Sequence, residues 1–125
     1  HFPMTLYLFI NHICMPEHHE IVMYRIENGG KSILLSGSFG TVDGVEYPQD
    51  CDMFILANGG NLSIPKLTKP FIESTHPKRV FVDHFDDAFP PVTRRVCVEK
   101  FRDKMSQTHP EIEFIIPTEL VPFEF

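Results

Sequence analysis

An imidazole set among carboxylates is the most chemically loaded feature of the chain. His84 lies in Asp83-His84-Phe85-Asp86-Asp87, just past the short apolar run Val80-Phe81-Val82, and Pro90-Pro91 stop any regular element from continuing. An apolar run of β-branched and aromatic residues bounded by breakers reads as a buried strand. The polar cluster therefore caps a strand end, where open α/β sheets bind their ligands. Three more strand-end loops carry candidate groups: Asn11-His12, Ser36 to Gly40, and Asn58 to Asn61. If the sheet gathers these loops, His84 and His12 could share a cation with Asp86, since zinc, iron and manganese accept imidazole and carboxylate ligands.

Each of these residues also has a purely structural reading. His84 reads as a polar turn residue as readily as a ligand, and His12 as a packing residue. His18-His19 reads as a solvated loop, and Asp86 and Asp87 as side chains that satisfy backbone N–H groups before a turn. Cys14, two residues from His12, invites a nucleophile-base pairing, but an irregular loop fixes no hydrogen-bond geometry between them. No HxH, HExxH or CxxC pair occurs. Gly30-Lys31-Ser32 mimics the end of a phosphate-binding loop, yet Arg25 stands where that motif needs its first glycine, and the context is strand-turn-strand.

The elements that must hold these groups can be read from the apolar runs. Thr5 to Ile10 reads as a strand that ends at Asn11-His12. Ile21 to Ile26 and Ser32 to Leu35 flank Asn28-Gly29-Gly30, a strong hairpin signal. Met53 to Ala57 is a continuous apolar run suited to a strand buried on both faces. Pro65 and Pro70 argue against one long helix between 61 and 76, so a short helix is expected over about 69 to 75, presenting Phe71 and Ile72 to the sheet. Thr93 is suited to cap a helix running to about Gln107, with Val98, Phe101 and Met105 at helical spacing and Cys97 widening the stripe. Glu111 to Ile116 reads as a strand, and Leu120 to Phe125 as an edge strand interrupted by Pro122. Strands alternating with helices indicate one layered α/β domain over 1–125 with mixed strand directions.

Composition narrows the function classes. A hydrophobic share of 42% with 22% charged residues fits an ordinary globular domain, and no apolar run approaches a membrane span. The formal net charge of −6 argues against nucleic acid, which needs lysine and arginine to displace counterions. Lys66/Lys69 and Arg94/Arg95 are too small to build a groove. Cys14, Cys51 and Cys97 form an odd, scattered set, so a reducing, cytoplasmic setting is expected. The chain opens His1-Phe2-Pro3 without an initiator Met or a leader pattern, and reads as processed, trimmed or partial.

The succession ILLSGSFG, DCDMFILANGG and PKRVFVDHFDDAFPP, together with an amphipathic helix and a terminal strand after it, resembles the C-terminal half of a metallo-β-lactamase fold. It is most similar to the branch of ascorbate-6-phosphate lactonase and related metal-dependent hydrolases, over about residues 20 to 125. In that family one strand ends in a Gly-Asp-Thr/Ser-Gly loop whose Asp bridges two metals, and a later strand, preceded by Pro-Lys, ends in the last ligand His. Pro77-Lys78, His84, Phe85, Asp86, Asp87, Phe89 and Pro90 match the second motif, and Gly37-Ser38-Phe39-Gly40 occupies the first. The resemblance implies a divalent metal (zinc or manganese), with His84, His12 and Asp86 as ligands, and attack of metal-bound hydroxide on an ester, lactone or phosphoester. Two departures limit it. Ser38 stands at the bridging-Asp position and supplies no anion, and the family's HxHxDH motif is absent from this chain. Both departures imply a degenerate site of low metal occupancy, inactive alone. One half of the αββα sandwich also implies a mixed sheet with helices on one face, and leaves the opposite, apolar face to be covered by a missing N-terminal half, another chain or self-association. Two other readings remain: a non-catalytic binding or assembly module that keeps the half-fold, and an unrelated small α/β domain.

Overall fold

The computed structural model describes residues 22–37, 44–58, 64–85, 97–118 and 120–124. The expected hairpin forms: strands β1 (Met23–Asn28) and β2 (Lys31–Ser36) pair antiparallel, with Asn28 opposite Lys31. Gly29 and Gly30 close the turn with φ of 57° and 80°. Two consecutive positive φ values are the type I′ requirement, and glycine meets it without a Cβ penalty. Strands β3 (Met53–Ala57), β4 (Arg79–Asp83) and β5 (Glu113–Ile115) then add in parallel, so spatial order equals chain order, β1-β2-β3-β4-β5.

Register explains where the core sits. Leu34, Phe54, Val80 and Phe114 form one row across the sheet, and Ser36, Leu56 and Val82 form the next. All seven are buried. Helix α1 (Ile64–Thr75) lays Phe71 and Ile72 on these rows, and helix α2 (Val98–Thr108) adds Val98, Phe101 and Met105. The Phe54 and Phe71 rings lie 5.8 Å apart, and Phe101 meets Phe114 edge-on at 6.1 Å. Both helices thus cover the same face. Burying each of these large side chains stabilises the fold by roughly 1.5–3 kcal/mol relative to leaving it exposed.

The other face carries an apolar row beside an ion pair, Arg79 Nε to the Glu113 carboxylate at 2.9 Å. Tyr24, Leu35, Ile55, Phe81 and Ile115 form a row across all five strands. Tyr24 is exposed and the other four are half-buried. Phe123, from the C-terminal segment, stacks on Phe81 at 5.7 Å.

Five expectations need correction. The helix between β3 and β4 starts at Ile64, not near 69, and runs through both prolines. Pro65 falls in the first turn, where N–H groups have no helical partner anyway. Pro70 removes one interior bond, to the carbonyl of Lys66, and both residues lie on an exposed side of the helix. Cys97 does not widen the buried stripe of α2. It is exposed at the N-cap, one residue before the helical phase begins. The segment 120–124 is not a strand, and its Leu120 takes a φ of 60°. The last strand is also shorter than expected, because Glu111 and Ile112 belong to the turn before it. The N-cap position of α2 falls on Cys97 rather than on the expected Thr93, and the expected strand at Thr5 to Ile10 lies outside the described residues.

Candidate functional site

β3 and β4 end together: Ala57 faces Asp83, and the Asn58 N–H donates to the Asp83 carbonyl at 2.8 Å. Asn58 and His84 therefore stand side by side just beyond the ladder, with Ser36 at the end of β2. Neighbouring strands lie about 4.8 Å apart, so these three residues span about 10 Å of the carboxyl edge. Alternation directs Asn58 to the helix side, with Phe54 and Leu56.

Asn58 is the anomaly of this edge. Its side chain is 0% exposed, and neither Oδ1 nor Nδ2 has a hydrogen-bond partner. A buried polar group left unpaired costs about 1–3 kcal/mol. His84 is exposed and holds a φ of 49°, a region that non-glycine residues enter rarely and at a cost. A buried amide without partners and a histidine with strained backbone thus stand at adjacent strand ends. His84, expected at a strand end, is there. His12, Ser38 and Asp86 lie outside the described residues, so their approach to His84 is not defined.

The described donors suit hydrogen bonding better than metal. Ser36 and Asn58 are neutral, His84 is one imidazole, and alternation turns Asp83 away from Asn58. Among the described residues no group of three or more His, Cys, Asp and Glu side chains is placed to hold an ion. This set does not fit a two-metal centre, which needs anionic ligands.

The opposite edge of the sheet carries a structural clasp. The Asp52 carboxylate accepts the Ser32 N–H at 2.8 Å and the Lys78 ammonium at 2.7 Å, tying the starts of β2, β3 and β4. The hydrogen bond from Lys78, then that from Ser32, holds the Asp52 carboxyl below the usual carboxylate range. The same contact raises Lys78. Beside them the Cys51 thiol is fully buried, and burial pushes its pKa up to about 11, which makes it inert near neutral pH.

Sequence reasoning missed a second concavity. A cavity of about 300 Å³ opens where the two helices end, lined by Glu73, His76, His109 and Glu111 over Ile72 and Ile112. His76 terminates α1 with a φ of 43° while its N–H donates to the Ile72 carbonyl at 2.9 Å. His109 caps α2, with Nδ1 3.6 Å from the Glu111 carboxylate. Two imidazoles and two carboxylates thus line one opening at the helix C-termini. The available signal was a repeated His-Pro pair, His76-Pro77 and His109-Pro110, each closing a helix.

These residues define an α/β protein with a five-stranded mixed sheet and two described helices on one face. Comparison with family models, curated proteins and solved structures finds no match to the chain. Among the described residues no helix is long and apolar enough to cross a membrane.

Proposed function

We propose that the chain is the C-terminal portion of a metallo-β-lactamase-like metal-dependent hydrolase with a degenerate metal site, inactive alone. The observation that carries this reading is the asymmetry of the sheet. Helices cover the face of Phe54 and Val80, while the row Tyr24-Leu35-Ile55-Phe81-Ile115 lies on the other face, apolar and without a described helix over it. Half of an αββα sandwich has this character: helices outside, and an apolar face directed at a second sheet. That sheet would come from an N-terminal half, another chain or self-association. The order of motifs and the strand-end position of His84 agree with the reading. A zinc or manganese ion would be held by His84 with His12 and Asp86 at low occupancy, because Ser38 offers no bridging charge. Free thiols at Cys51 and Cys97 agree with a cytoplasmic setting.

A second reading, a non-catalytic binding or assembly module, is favoured by one observation. The buried group at the carboxyl edge is a neutral amide, Asn58, with both polar atoms unpartnered. Equilibrium dialysis against zinc and against manganese separates the two. Stoichiometric metal, lost in His84→Ala, supports the hydrolase remnant. Metal-free protein whose unfolding midpoint is unchanged by either ion supports the module.

A further inference from the structure

Strand β1 is an outer edge of the described sheet, and it lacks most of the devices that usually block such an edge. It contains no proline, lysine or bulge, and its pairing with β2 runs unbroken from Met23 to Asn28. Every residue from Tyr24 to Asn28 is exposed, with Tyr24 at 58% and Ile26 at 52%. Its charged side chains neutralise each other: Arg25 Nε donates to the Glu27 carboxylate at 2.7 Å. From these features we infer that β1 pairs antiparallel with β1 of a second copy of this chain, about a two-fold axis at Ile26.

The hairpin fixes which backbone groups are free. The pair closing a two-residue turn, Asn28 and Lys31, is hydrogen-bonded, and such pairs alternate along an antiparallel ladder. Asn28, Ile26 and Tyr24 therefore direct their N–H and C=O at β2. Met23, Arg25 and Glu27 direct theirs outward. A symmetric pairing must match outward groups with outward groups, and charge then selects among the registers. Centring on Arg25 or on Glu27 sets like charges directly opposite, which destabilises a strand pair. Centring on Tyr24 sets Arg25 against Met23 and leaves Glu27 without a charge partner. Centring on Ile26 places Arg25 of each copy opposite Glu27 of the other, each pair exchanging two backbone hydrogen bonds. The same register sets Ile26 against its own copy and continues the Tyr24–Ile26 side of β1 from one sheet into the next. This surface is the sheet edge, not the face invoked in the proposed function, and the pairing stands or falls independently of that reading.

Sedimentation of the full chain from low to high micromolar concentration tests the pairing, with Glu27→Arg and the swap Arg25→Glu/Glu27→Arg as variants. The expected result is a reversible dimer, weakened about tenfold by the single reversal and restored by the swap. Amide exchange at high concentration should slow at Arg25 and Glu27 but not at Tyr24 and Ile26, which already bond to β2. Circular dichroism melts confirm that the exposed variants fold. A monomer at every concentration overturns the inference. A dimer indifferent to the single reversal, or one that leaves the Arg25 and Glu27 amides unprotected, also overturns it.

Discussion

Two threonines on one helix show how differently a buried hydroxyl can count. Thr68 and Thr75 are both 0% exposed. The Thr75 hydroxyl donates to the Phe71 carbonyl at 2.6 Å, while that of Thr68 has no partner. Replacing an orphaned polar group by an apolar isostere removes a desolvation cost, whereas removing a satisfied one loses a bond. Thr68→Val is therefore expected to raise stability by about 1 kcal/mol, and Thr75→Val to lower it by about 1 kcal/mol, as read from urea midpoints. Opposite signs from two identical substitutions are what the pattern requires. Little of this was legible in the sequence. Asn58 reads there as the start of a strand-end loop with candidate groups, and nothing local shows that its amide ends up buried without a partner. His84 at a strand end was legible, because the apolar run before it is short and the change to polar residues abrupt.

The strands were the easiest elements to read. Met53–Ala57 matches the apolar run residue for residue, because a central strand takes its pattern from burial alone. β1 is displaced from its expected start by two residues, since an exposed edge imposes little pattern. Helix α1 was misjudged for a physical reason: the first-turn proline is Pro65, and Pro70, which the sequence suits to that role, sits inside the helix. Pro65→Ala should be nearly neutral. Pro70→Ala should raise stability by about 1–3 kcal/mol and increase helical circular dichroism, because it restores an interior bond at an exposed site with no packing to lose. Long-range contacts such as the Asp52 clasp could not be read at all, since Asp52 and Lys78 are separated in sequence and meet only through parallel pairing. That clasp has a pH signature. The carboxyl of Asp52 is lowered from 3.8, so its contribution is present above about pH 4 and is lost as pH falls through the lower folded value. The raised ammonium of Lys78 contributes below 10.5, and its contribution is lost as pH rises through the higher folded value. Asp52→Asn should lower stability at neutral pH and flatten the acid limb of a pH–stability curve, as urea unfolding would show. A limb as steep as the parent's would mean that another carboxylate governs it.

At the scale of the molecule, the decisive feature is a sheet with helices on one face and an apolar row on the other. The alternation of strands and helices made the layered α/β class legible, and the direction of strand pairing agreed with the hairpin and the helical connections. What covers the second face was not legible, because it depends on groups that the apolar row itself does not identify. Among the described residues the strand ends offer an imidazole, a neutral amide and a hydroxyl, and on the proposed reading no water activation by the chain is expected. Hydrolysis of generic ester and phosphodiester substrates by the full chain, with zinc or manganese supplied, tests this most directly. The expected result is no turnover above that of the metal ion alone. Turnover by the chain that disappears in His84→Ala would contradict the account.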